Sequence, residues 1–133
     1  MKTPATILVV DDNPINLKLA ADVLECDGYA ILRARDAAAA QAVIAQTPPD
    51  LILMDIQMPG MDGLTLTRLI KANPAYASIR IVALTAFAMK GDDRKALAAG
   101  CDGYITKPIE SRKLAAQIAE ILQRNTSSQT KEA

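Results

Sequence analysis

The sequence predicts an α/β fold: a doubly wound, five-stranded parallel sheet in the order 2-1-3-4-5 with five helices. Three observations carry that prediction. Apolar strand-like runs alternate five times with helix-like segments along the 133 residues, the pattern of a parallel sheet covered on both faces. Runs one, three and four are almost purely apolar, as central strands are, whereas two and five are shorter and more mixed, as edges are. In that strand order the crevice opens beside strands one and three, the two runs that end in aspartate.

The first strand is expected over Ile7 to Val10, followed by a helix from about Pro14 to Cys26. Pro14 suits a first helical turn, and Leu17, Ala20, Ala21 and Leu24 repeat at i, i+3, i+4 and i+7. Asp27-Gly28 ends it. Strand two is Tyr29 to Leu32, and Asp36 is placed to N-cap an alanine-rich helix reaching about Gln46. Pro48-Pro49 breaks that helix before strand three, Leu51 to Met54.

Pro59-Gly60 marks a loop, Asp62 is placed to cap a helix carrying Leu66, Leu69 and Ile70, and Asn73-Pro74 stops it. Strand four is Ile79 to Leu84. The helix after it runs to Ala99, with Gly100 as its stop. Gly103 to Thr106 is strand five, and the last helix shows Leu114, Ile118, Ile121 and Leu122 on one stripe. Residues 1–124 form one domain; residues 125–133 are polar and read as a disordered tail.

Composition narrows the function. Half of the chain is apolar, enough for one core. Fifteen basic side chains balance fifteen acidic ones, so no net field draws the protein to nucleic acid or anionic lipid. No apolar run approaches the roughly 20 residues of a membrane helix. A cytoplasmic protein is expected. There is no histidine, which excludes a Ser-His-Asp triad, an imidazole zinc site and an internal histidine phosphodonor. Cys26 and Cys101 lack CxxC spacing and read as two buried free thiols.

The polar residues that end the apolar runs carry the chemistry. Strand one runs into Asp11-Asp12, strand three into Asp55, strand four into Thr85 and strand five into Lys107. On neighbouring parallel strands, three carboxylates, a hydroxyl and an ammonium meet at one sheet edge. Three packed carboxylates repel, and a divalent cation with Lys107 relieves the repulsion. Magnesium, which takes one or two carboxylates plus a phosphate, suits the set. A lone aspartate before Pro14 would serve equally as a helix N-cap; the pair, with Asp55 and Lys107 nearby, argues for a cation. Asp55 is the candidate nucleophile, because a carboxylate can accept a phosphoryl group as a mixed anhydride. Thr85 and Lys107 would stabilise charge on the transferring group.

These residues match a family. The chain resembles a response-regulator receiver domain from about Thr6 to Leu122, through the strings Leu8-Val9-Val10-Asp11-Asp12-Asn13, Leu53-Met54-Asp55-Ile56-Gln57-Met58-Pro59-Gly60-Met61-Asp62-Gly63, Ala83-Leu84-Thr85-Ala86 and Gly103-Tyr104-Ile105-Thr106-Lys107-Pro108. The resemblance implies the flavodoxin-like receiver fold. It implies Asp55 as phosphoacceptor, and Asp11, Asp12 and Asp55 with the Gln57 backbone carbonyl as ligands of Mg²⁺, for which Mn²⁺ substitutes. It also implies Thr85, Ala86 and Lys107 as phosphate contacts, Thr85 and Tyr104 as a switch pair, and a cis bond before Pro108. The stretch Ala86-Phe87-Ala88-Met89-Lys90-Gly91-Asp92 is similar to that of single-domain receivers of the DivK and CheY kind, and to receivers fused to hybrid histidine kinases.

The function expected is that of a signalling phosphoacceptor rather than an enzyme acting on an outside substrate. Its phosphoryl donor is a histidine kinase or histidine phosphotransfer protein, since the chain has no histidine of its own. Its output is contact with a downstream protein through Phe87, Met89, Lys90 and Tyr104, as a monomer or weak dimer. A stand-alone regulator is the leading expectation, because no residues for a further domain follow the last helix. A receiver cut from a hybrid kinase and acting in a phosphorelay is the alternative. A remote one is an aspartate-nucleophile phosphatase resembling the haloacid-dehalogenase group. Those enzymes place an aspartate where Gln57 stands here.

Overall fold

A computed structural model describes residues 5–56, 61, 63–85, 92–106 and 110–132, with the backbone alone at 92, 93, 95, 96, 111 and 123–132. Strands and helices alternate throughout. They are β1 (Thr6–Val10), α1 (Pro14–Cys26), β2 (Ala30–Ala34), α2 (Ala37–Gln46), β3 (Leu51–Asp55), α3 (Gly63–Ala72), β4 (Arg80–Thr85), α4 (Asp92–Ala99), β5 (Gly103–Thr106) and α5 (Ser111–Glu132). The five strands form one parallel sheet in the expected order β2-β1-β3-β4-β5.

Alternation along each strand divides the core between two faces. Ile7 and Val9 of β1, Leu51 and Leu53 of β3, and Val82 and Leu84 of β4 pack with Leu17, Ala20 and Leu24 of α1 and Leu114, Ile118 and Ile121 of α5. Leu8 and Val10, Ile52 and Met54, and Ile81 and Ala83 pack on the other face with Ala40 and Ile44 of α2 and Leu66 and Ile70 of α3. Every residue of β3 is buried, and β1 is buried from Ile7 onward. Each such large side chain contributes roughly 1.5–3 kcal/mol relative to an exposed one. β4 is buried likewise from Ile81 onward, so the two strands that carry the aspartates belong to the firm centre of the sheet.

Two strands start later than periodicity suggests, in each case because the preceding turn uses the residue. Tyr29 donates its N–H to the Leu24 carbonyl (3.2 Å) as part of the α1 stop, where Gly28 takes φ +95°, so β2 begins at Ala30. Ile79 donates to the Tyr76 carbonyl (3.0 Å), so β4 begins at Arg80. Asp36 caps α2 through the Ala39 N–H (2.7 Å). Gly100, at φ +110°, follows α4 as anticipated. Lys71 ties the segment before β4 in place, donating to the Ala77 and Ile79 carbonyls (3.2 and 2.6 Å) and to Asp102 (3.3 Å).

A further expectation, the burial of both cysteines, differs from what is found. Cys26 is exposed, and only Cys101 is buried. Cys26 lies two residues beyond Leu24, about 200° around the helix from the buried stripe. The described backbone of α5 is helical to Glu132 and so includes residues 125–132. That stretch is polar but holds neither proline nor glycine to break a helix. Of the other assignments, the Pro59-Gly60 loop, the Asp62 cap and the bond before Pro108 lie outside the described residues.

Candidate functional site

The register of β1, β3 and β4 assembles the site. Val10 pairs with Met54, so Asp11 and Asp55 stand one step further along adjacent strands. Both continue the odd-numbered series that faces α1 and α5. The backbone on either side is held: Asp11 N–H donates to the Ala34 carbonyl (3.1 Å) and Ile56 N–H to the Leu84 carbonyl (3.1 Å). The sheet pairing thus reaches one residue past Val10 and one past Asp55, which supports both aspartates from the neighbouring strands.

Carboxylate oxygens of Asp11, Asp12 and Asp55 lie within 4.8 Å of one another. Asp11 and Asp55 are buried and Asp12 is partly exposed. The helix-cap alternative for the acidic pair is settled by Asn13. Its side chain accepts from the N–H groups of Ile15 (2.9 Å) and Asn16 (3.3 Å), making Asn13 the N-cap of α1. Asp11 Oδ1 instead accepts the Asn13 N–H at 2.9 Å.

The donor set suits a hard dication. Magnesium–oxygen distances are about 2.0–2.1 Å, so ligands across one ion sit about 4 Å apart, close to the span of this cluster. All the donors are carboxylate oxygens, with no soft ligand among them. Opening one of the three to solvent leaves room for water and phosphate oxygens.

Thr85 and Tyr104 share a sheet face. Ala83 pairs with Tyr104 and Thr85 with Thr106, so these residues belong to the series of Ile81 and Ala83 that faces α2 and α3. Thr85 is buried beside Leu84, the register partner of Asp55, while Tyr104 on the edge strand is 41% exposed. The sheet thus brings Asp11, Asp12, Asp55 and Thr85 to one end, with Tyr104 two positions back along the edge strand. Gln57, Ala86, Phe87, Met89, Lys90 and Lys107 lie outside the described residues.

Two further residues at this end had no role assigned from the sequence, although Gly63 closes the motif string that begins at Leu53. Ile15, in the first turn of α1 next to the acidic pair, is 76% exposed. The signal was present in the chain, because Ile15 falls out of phase with the Leu17–Leu24 stripe. Gly63 opens α3 against the end of β3, and nothing in a linear sequence reveals that approach.

This sheet, with an acidic cluster beyond the ends of β1 and β3, defines a doubly wound α/β domain with a candidate cation site. The signature of the response regulator receiver domain matches residues 7–119, and the chain belongs to that family. The polar-differentiation response regulator DivK of Brucella anthropi is 42% identical over 106 residues, covering 80% of this chain and 86% of that protein. A CheY-like response regulator receiver domain protein from Methanospirillum hungatei superposes with a TM-score of 0.84 at 31% identity, covering 94% of this chain and 98% of the other. The signal receiver domain of a histidine kinase from Syntrophus aciditrophicus superposes with a TM-score of 0.81 at 34% identity, covering 90% of each chain. Among the described residues, no helix is long and apolar enough to cross a membrane.

Proposed function

We propose that the protein accepts a phosphoryl group on Asp55, in a Mg²⁺-dependent reaction, and signals by phosphorylation-dependent contact with another protein in the cytoplasm. The observation that carries this reading is the convergence of Asp11, Asp12 and Asp55 at the ends of β1 and β3. The donor is a phosphohistidine on a histidine kinase or phosphotransfer protein. An Asp55 carboxylate oxygen attacks phosphorus as the P–N bond breaks. The bonding pair leaves on the imidazole nitrogen, which takes up a proton, and Asp55 is left as an acyl phosphate.

Asp11, Asp12 and Asp55, with the Gln57 carbonyl, are the residues that would hold Mg²⁺, which screens the repulsion between carboxylates and phosphoryl oxygens. Rigid strand ends hold the Asp55 carboxylate in line for attack, so its positioning carries no ordering cost at the moment of reaction. Thr85, the Ala86 N–H and Lys107 stabilise the phosphoryl oxygens. A hydrogen bond from the Thr85 hydroxyl to the new group draws it inward, and the Tyr104 ring follows into the space on the same face. That rearrangement alters the surface of α4, β5 and α5, and with it the contact made through Phe87, Met89 and Lys90, which precede α4 in the sequence.

Exposed Ile15, beside the cluster, offers an apolar contact for the incoming donor protein. The similarity to DivK favours a stand-alone regulator. The similarity to a histidine kinase's receiver domain favours the second reading, a phosphorelay station within a longer chain. Incubation with a panel of phosphorylated histidine kinases tests the function. Transfer to the wild type, with none to Asp55→Asn, supports it, and equal transfer to both contradicts it.

A further inference from the structure

The first turn of α3 approaches the end of β3 more closely than a side chain allows. A Cβ added to Gly63 would fall within 3.0 Å of three atoms: the Asp55 carbonyl oxygen nearest of all, then Ile56 Cα at 2.8 Å and Met54 Cγ at 2.9 Å. Two of these are backbone atoms and cannot swing aside. The torsions of Gly63 do not require glycine, since among the described residues the glycines with positive φ are Gly28 and Gly100. The missing side chain is what permits the contact.

Hydrogen bonds hold this approach. Gly63 N–H donates to the Ile56 carbonyl (3.3 Å), and the Thr67 hydroxyl, wholly buried, donates to the Gly63 carbonyl (2.8 Å). The Cys101 thiol lies 4.0 Å from the Thr67 oxygen, as donor, and closes the arrangement from the β5 side. A valine would match the buried Thr67 side chain in shape. The hydroxyl adds a hold on the first turn of α3.

We infer that Gly63 is a positioning residue for Asp55. With Thr67 as its anchor, it lets α3 bear on the Asp55 backbone and set the height at which that carboxylate meets Asp11 and Asp12. The inference rests on Asp55 being the phosphoryl acceptor. Reactions of this kind are sensitive to such placement, and a displacement of about 1 Å can cost on the order of a hundredfold in rate.

The test uses the full chain as wild type, Gly63→Ala, Thr67→Val and Thr67→Ser, well below the melting temperature of each. Labelling by acetyl phosphate is followed at saturating Mg²⁺ and donor, alongside the ¹³C resonance of the Asp55 carboxyl. Gly63→Ala is expected to slow labelling by about tenfold or more and to shift that resonance. Thr67→Val should do the same to a smaller extent, and Thr67→Ser, which keeps the hydroxyl, should restore both readouts. If Gly63→Ala does not fold, the comparison of valine with serine at position 67 decides. A wild-type rate and an unshifted resonance in folded Gly63→Ala, or in Thr67→Val, overturns the inference. Failure of the underlying acceptor assignment looks different: Asp55→Asn would then label as fully as the wild type.

Discussion

Asn13 donates its backbone N–H to Asp11 Oδ1 at 2.9 Å while its own side chain accepts from Ile15 and Asn16. One asparagine thus steadies a cluster carboxylate and caps α1, and the two roles use different parts of the residue. The acidic pair is left to face Asp55 because the adjacent helix takes its cap from the residue after them.

Asn13→Ala separates these roles. Loss of the cap should cost about 1 kcal/mol of stability, read as a lower midpoint in urea. Labelling at Asp55 should persist, because the N–H that reaches Asp11 belongs to the backbone. Loss of labelling in a folded variant would mean that the side chain, and not the backbone, organises the cluster.

Replacing the other carboxylates should act through the cation. Asp12→Ala is expected to weaken Mg²⁺ binding on the order of tenfold, since carboxylate count sets affinity for hard cations, and to slow phosphorylation. Asp11→Ala should also weaken both. Mn²⁺ should support the reaction. Equal labelling rates in chelator and in excess Mg²⁺ would rule out the metal's role.

Thr85 and Tyr104 share a sheet face, one buried and one partly open to solvent, and this is the geometry a switch between them needs. Burying an aromatic ring is worth a few kcal/mol at most, enough to shift a nearly balanced equilibrium. Thr85→Ala and Tyr104→Ala should both accept phosphate, yet lose about tenfold or more of the phosphorylation-dependent gain in partner affinity. An undiminished gain in Tyr104→Ala would show that the ring is a static edge aromatic.

The two thiols should behave differently. Burial pushes Cys101 up to about 11; the neighbouring Asp102 adds to the rise, while Thr67 and Lys71 oppose it. The fold therefore holds the neutral thiol. Its stabilising contribution is complete below the unfolded value of about 8.5 and is lost as pH rises towards about 11. Iodoacetamide at about pH 8 should label Cys26 in the native protein and Cys101 only after unfolding. Stability should decline less steeply with alkali in Cys101→Ala. Rapid native labelling of Cys101 would contradict its burial.

Strand order and acidic cluster were both legible in the chain because they depend on local signals. Apolar runs mark the strands, and the residues that end the runs mark the site. What was not legible depends on turn bonds, helix phase and close approaches that a run of residue types does not show. Tyr29 and Ile79 have strand-like character, but turn hydrogen bonds to Leu24 and Tyr76 claim them. Cys26 reads as apolar, and only its phase on α1 reveals that it is exposed. Gly63 closes a motif string, but what its missing side chain permits shows only when β3 is placed beneath it.

The central claim is that Asp55 is the phosphoryl acceptor, and intact-mass analysis after incubation with acetyl phosphate and Mg²⁺ tests it most directly. The wild type should gain one phosphoryl group that survives acid, is released by base or hydroxylamine, and maps to Asp55. Asp55→Asn, which keeps the shape and removes the nucleophile, should gain none. A phosphoryl group of the same yield and lability on Asp55→Asn would contradict the account.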